Sequence, residues 1–247
     1  MNKRLLVIIA FTFLASCKEK TYQVESIFDN GNNKVIYRSF SDTTIYGKTY
    51  QKKYKIKFNE KKDTLRKGIY INEMALDEHS FYVNNKIVCK RNYIVPNPFF
   101  IDLDNENETV DFSFFKIRQD STYLNTAIFF DKNGNSIIEK SDFYTTKFHA
   151  KKWKLNDSLK VEFKFNYPEH EVIKSKLYFM VPQDTSMITL AFGKGNKYIF
   201  ERKIINKNHN EIQGVVEFIA FDKNKKVEDS TAYARRIIFI NEKIKIE

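Results

Sequence analysis

Glycine and proline are scarce in this chain, seven and four among 247 residues, which excludes collagen-like and linker-dominated architectures. The only cysteines are Cys17 and Cys89, too few for a disulfide-stapled miniature domain. The four histidines, His79, His149, His170 and His209, stand more than five residues apart, so no zinc-ligand pair is visible. No G-x-S-x-G elbow occurs, and Gly193-Lys194-Gly195 lacks the spacing and hydroxyl of a phosphate-binding loop. No catalytic residue, metal ligand or cofactor-binding residue is therefore expected, and the chain reads as non-enzymatic. After the first seventeen residues, no segment holds a sustained 3.6-residue apolar period.

What the chain has in abundance is aromatic and basic residues. Phe and Tyr number 23 and 14, and hydrophobic residues make up 42%, enough for a sizeable core. The formal net charge of +11 falls to +9 once Lys3 and Arg4 are set aside. Such an excess would attract nucleic acid, anionic lipid or acidic glycan. The charges are mixed along the chain rather than gathered in one block, which argues against dedicated nucleic-acid capture.

The N-terminus places Lys3 and Arg4 before an apolar run from Leu5 to Leu14, followed by Ala15-Ser16-Cys17. The run is short of the ~20 residues that a spanning helix requires. Leu14-Ala15-Ser16-Cys17 resembles the lipobox of the bacterial lipoprotein family: an aliphatic residue, two small residues, then an obligatory cysteine. The resemblance implies cleavage between Ser16 and Cys17, a diacylglyceryl group on the Cys17 sulfur, and acylation, as by palmitate, of the new amino group. Each buried methylene contributes about 0.8 kcal/mol, so several chains together anchor firmly. Lys18 stands where Asp would signal inner-membrane retention in the enteric version, so an outer-membrane lipoprotein is implied, with membrane contact through the lipid on Cys17. With Cys17 so used, Cys89 has no partner and reads as a small apolar strand residue.

Beyond the anchor, alternation predicts strands. Leu159, Val161, Phe163 and Phe165 interleave with Lys160, Glu162 and Lys164, and Tyr54, Ile56 and Phe58 with Lys53, Lys55 and Lys57. Further strands are expected at Val110 to Ile117, Leu124 to Phe130, Tyr198 to Ile205, Val215 to Phe221 and Arg236 to Ile240. Turn signals separate them at Asn30-Gly31, Asn84-Asn85, Asn133-Gly134, Gly193 to Asn196 and Asn206 to Asn210. A single helical turn is expected near Glu73-Met74-Ala75-Leu76. The class is all-β.

A repeat organises these strands. Phe130-Asp131-Lys132-Asn133 recurs as Phe221-Asp222-Lys223-Asn224, and Glu139, Ser141 and Tyr144 recur as Glu228, Ser230 and Tyr233. Asp63-Thr64-Leu65 answers Asp157-Ser158-Leu159, and Val95-Pro96 answers Val181-Pro182. These matches predict two tandem antiparallel β-sandwich units, residues 61–150 and 151–247. Their size and strand number resemble immunoglobulin-like surface domains. Residues 1–16 form the removed signal, and 17–60 an anchor, tether and hairpin segment. Tyr22 to Asn59 also resembles the tandem hairpins of MORN-type bacterial lipoproteins. Trp153 is expected between the two sandwiches.

Several local constellations have two readings. Asp102, Asp104, Glu106 and Glu108 could bind Ca²⁺ or form a solvated loop, and the loop is the simpler reading. Asp131, Asn133, Asn135 and Asp142 follow an EF-hand loop superficially, but Asn133-Gly134 favours a hairpin. Glu169-His170-Glu171 could orient a base, or line a surface turn. Lys52 to Phe58 and Lys151 to Lys154 alternate base and aromatic, as stacking platforms for single strands do. Edge strands guarded by lysine look the same, and that is the reading adopted. The chain is accordingly expected to be a lipid-anchored binding or assembly module of the cell envelope, with a protein or glycan partner. The alternative is a carbohydrate-processing accessory or enzyme with its site between the repeats.

Overall fold

The computed structural model describes residues 24–29, 33–39, 41–98, 121–167, 170–180, 187–193, 196–206, 210–222 and 233–247. Cys17, the Asp102–Glu108 stretch, the Val110–Ile117 strand and the turns at Asn30-Gly31 and Lys194-Gly195 lie outside them. The chain is all-β, built from antiparallel sheets. Among the described residues no helix is long and apolar enough to cross a membrane.

The first half forms one seven-stranded sheet. Its strands are β1 (Val24–Asp29), β2 (Asn33–Ser39), β5 (Lys52–Phe58), β6 (Thr64–Ile71), β7 (Met74–Val83), β8 (Lys86–Ile94) and β9 (Tyr123–Phe129), each paired with the next. A small hairpin of β3 (Thr43–Ile45) and β4 (Lys48–Tyr50) is inserted between β2 and β5. Two-residue turns close three hairpins: Tyr46-Gly47, Asn72-Glu73 and Asn84-Asn85, with φ of 47° and 78°, 45° and 67°, 50° and 59°. Positive φ at both positions matches the right-handed twist of the flanking strands. The helical turn expected near Glu73 is thus a hairpin, with Glu73 itself left-handed and β7 starting at Met74.

The second half is a β-sandwich. One sheet orders β10 (Phe143–Phe148), β11 (Ser158–Asn166) and β14 (Lys197–Lys203). The other orders β13 (Met187–Gly193), β12 (His170–Met180), β15 (Glu211–Asp222) and β16 (Tyr233–Lys243). The alternation in β11 has its expected consequence, since Leu159, Val161, Phe163 and Phe165 are at most 1% exposed. Phe179 of β12 meets Phe200 of β14 at 4.4 Å between ring centroids, and Phe165 of β11 meets Phe218 of β15 at 5.3 Å. Fully burying one such ring contributes roughly 1.5–3 kcal/mol, so this aromatic layer dominates the stability of the half.

Three expectations need correction. The repeated motifs do not carry a repeated pairing scheme: β6 and β8, opened by Asp63-Thr64-Leu65 and followed by Val95-Pro96, lie in one sheet, whereas their counterparts β11 and β12 lie in different sheets. The expected border at residue 60 falls inside the β5–β6 hairpin, so β1, β2 and β5 belong to the first sheet. Trp153 packs in the core of the second-half sandwich, edge-on to Phe148 at 5.6 Å, and pairs with the C-terminal segment through Ile246.

The lysine-rich β5 is likewise not an edge strand. It runs between β2 and β6, and its lysines lie over tyrosines: Lys53 and Lys55 over Tyr37 at 5.7 and 5.0 Å, Lys55 over Tyr70 at 5.2 Å. Their ammonium groups lie over the ring faces and remain partly exposed, a cation–π arrangement that makes lysine tolerable mid-sheet.

Candidate functional site

The two halves meet where β9 abuts β10 and β16. Ala127 and Asp142 exchange backbone hydrogen bonds at 2.7 Å. Arg236 of β16 then directs all three guanidinium nitrogens at this joint. Nε donates to Asp142 Oδ2 at 2.5 Å, Nη1 to the Tyr123 hydroxyl at 2.6 Å, and Nη2 to the carbonyls of Leu124 and Asn125. Both charged side chains are largely buried, at 14% and 19% exposure. Burial pushes the Asp142 carboxyl up, and the Arg236 cation opposes that. Planar guanidinium donors suit such a four-way contact, and lysine could not reproduce it. A second tie runs from Asn97 Nδ2 to Gln213 Oε1 at 2.8 Å.

Beside this joint lies a cleft of about 610 Å³. The first sheet contributes Asp77 and Glu78 from β7, Asn92 and Ile94 from β8, and Thr126 and Ile128 from β9. The sandwich contributes Phe143, Tyr144, Thr146 and Phe148 from β10 and Phe239, Asn241 and Glu242 from β16. Alternation explains the wall, because Tyr144, Thr146 and Phe148 share one face of β10. In a chain of net charge +11, the lining holds the carboxylates of Asp77, Glu78 and Glu242 and no lysine or arginine.

Two of those carboxylates are engaged. Glu78 pairs with Lys90 at 2.9 Å, and Glu242 accepts a hydrogen bond from the Thr146 hydroxyl at 2.9 Å. Tyr144 is raised far above the ordinary phenol range, by burial first and by the Glu242 charge second, so it stays a neutral hydrogen-bonding group. The lining contains no Ser, Cys or His, and its Thr146 hydroxyl is bonded to the Glu242 carboxylate. Aromatic rings, amides and hydroxyls at this density suit a polar, uncharged or cationic ligand.

The other candidates from the sequence are dispersed. His79 is buried on β7, its Nε2–H donating to the Ile69 carbonyl at 2.6 Å while Nδ1 accepts from Arg66 Nε at 3.2 Å. Burial, with the Arg66 cation, lowers its pKa to about 4, so this histidine is neutral. The side chains of His170, Glu169, Glu171 and His209 lie outside the described residues, and His149 sits exposed after β10. Cys89 is buried in β8 and burial pushes its thiol up, as a packed strand residue requires. Asp131 closes its own turn: Oδ1 accepts the N–H groups of Asn133 and Asn135 at 2.8 and 2.9 Å, and these bonds, Asn135 first, hold its carboxyl below the usual range. Asp142 points away to Arg236, so the EF-hand-like series forms a turn. Among the described residues no group of three or more His, Cys, Asp or Glu is placed to hold a metal.

Neither a protein-family model nor a curated protein matches this chain.

Proposed function

We propose that this chain is a lipid-anchored, non-enzymatic binding module of a bacterial cell envelope, placed in the outer membrane and tethered through acyl chains on Cys17. The observation that carries it is Leu14-Ala15-Ser16-Cys17 behind Lys3, Arg4 and the Leu5–Leu14 apolar run. The inter-sheet cleft is the ligand site, and its aromatic and amide lining supports a glycan or a polar segment of an envelope protein as occupant. Among the strands, three facing four, with the chain crossing between sheets after β11, β13 and β14, support an immunoglobulin-like reading of the second half.

Replacing Cys17 by Ala is expected to move the protein from the membrane to the soluble fraction while leaving the folded body intact. Retention of that variant in washed membranes would contradict the anchor.

A second reading is favoured by the carboxylates beside aromatic rings in the cleft: a carbohydrate-processing accessory or enzyme. Conversion of oligosaccharides by the purified chain, lost in Glu242→Gln, would select it over simple binding. A cleft without a basic lining residue speaks against nucleic acid as its ligand.

A further inference from the structure

We propose that the cationic, tyrosine-rich face of the seven-stranded sheet lies against an anionic lipid surface, an inference that rests on the lipid-anchor reading. Strand register puts Lys53, Lys55 and Lys57 of β5 on the same face as Tyr37 of β2 and Arg66, Gly68 and Tyr70 of β6. Across β7 and β8 the face continues with Phe81, Arg91 and Tyr93, because Arg66 lies over the rings of Tyr70, Phe81 and Tyr93 at 5.4, 4.8 and 5.8 Å. Arg91 lies over Phe81 at 4.9 Å.

The opposing charge is slight. Glu73, at 3.6 Å from Lys55 and 4.0 Å from Lys53, is the carboxylate paired with these lysines, and Asp77 falls at the margin of this face by its register with Tyr93. Lys53 and Lys55 retain 24% and 23% side-chain exposure even while covering tyrosines. Partly exposed cations laid over tyrosine rings match the chemistry of a headgroup layer, where tyrosine and basic side chains are both favoured.

The anchor restricts where this face can go. Cys17 and Val24, the first residue of β1, are seven positions apart. At roughly 3.3–3.6 Å per residue the sheet starts within about 25 Å of the lipid. Screening confines electrostatic attraction to about 8 Å at physiological salt, so a short tether and a basic face act together. The cleft residues Glu78, Asn92, Thr126 and Ile128 alternate onto the other side of the sheet. Docking through Lys53, Lys55 and Arg66 therefore leaves the cleft turned away from the bilayer.

The test uses the mature chain, residues 17–247 with Cys17→Ser, so that no acyl group contributes. It is expected to co-sediment with vesicles of equal phosphatidylglycerol and phosphatidylcholine, to bind pure phosphatidylcholine poorly, and to be released by raised salt. The triple variant Lys53→Glu, Lys55→Glu, Lys57→Glu should weaken vesicle binding at least about tenfold. The milder Lys→Gln triple should show a smaller loss in the same direction, which guards against misfolding as the cause. Reversing Lys164, Lys203 and Lys243 on the sandwich should have little effect. Equal loss from that control set, no preference for anionic vesicles, or tighter binding to a single-stranded oligonucleotide would each overturn the proposal. The anchor is read separately by acyl labelling. Lipid on Cys17 without vesicle binding by the unlipidated chain would remove this face and leave the anchor standing.

Discussion

Asn125 holds Phe239 by both ends of its amide: Nδ2 donates to the Phe239 carbonyl at 2.8 Å, and Oδ1 accepts the Phe239 N–H at 2.7 Å. The side chain thereby imitates a neighbouring strand along β16, the outermost strand of its sheet. An edge that would otherwise offer free N–H and C=O groups is closed by the other half of the molecule. Asn125→Ala removes both bonds and leaves buried backbone groups unpaired, at a cost of roughly 1–3 kcal/mol. Asn125→Asp should cost more, because a carboxylate oxygen then faces the Phe239 carbonyl. Urea-unfolding midpoints of the two variants check the order.

Arg236 and Asp142 make a second, charged closure of the same joint. Arg236→Met strands a buried carboxylate and should destabilise by about 3–5 kcal/mol. Asp142→Asn in that background should recover part of the loss, since the stranded charge disappears. A double-mutant cycle measures the coupling; additive effects would show that the pair is not the linkage described.

Gly68 makes room for His79. A Cβ at position 68 would lie 2.4 Å from the His79 ring, too close for any rotamer shift of a ring hydrogen-bonded at both nitrogens. Gly68→Ala should therefore cost about 1–3 kcal/mol through overpacking. His79→Ala in the same chain should relieve much of it, so the double variant loses less than the sum of the singles.

His79 also makes stability depend on pH in a defined window. Its folded pKa of about 4 lies below the ordinary value of 6.5. Between these values the unfolded chain binds the extra proton, so stability is full above about pH 6.5 and falls as pH drops towards 4. At 1.36 kcal/mol per unit the full loss is on the order of 3 kcal/mol. Unfolding midpoints at pH 7 and pH 5, above most carboxylate titration, should fall in the parent chain and change little in His79→Leu.

Strands buried on one face were legible in the sequence. β11 is the clearest case, because its Leu159–Phe165 alternation reflects a dry side and a wet side. The strand character of β5 was equally plain, but its interior position was not, since lysines whose ammonium groups lie over Tyr37 and Tyr70 look like edge protection when the rings are unseen. The Asn72-Glu73 turn was missed because glutamate carries no turn signal, whereas Asn84-Asn85 announced itself. The repeated Phe-Asp-Lys-Asn motif misled for a physical reason: Asp131 encodes a local turn through its own carboxylate, and a turn does not dictate which strands pair. The joint and cleft were invisible because their partners, such as Asn125 and Phe239, stand 114 positions apart. No local spacing records such a meeting.

Placement at a membrane underlies the whole functional account, and intact mass of the native polypeptide extracted from its own membranes reads it directly. The expected mass corresponds to residues 17–247 plus a diacylglyceryl group and an amide-linked acyl chain, with the fragment bearing Cys17 carrying all of the excess. A chain that keeps residues 1–16, or begins at an unmodified Cys17, would contradict it.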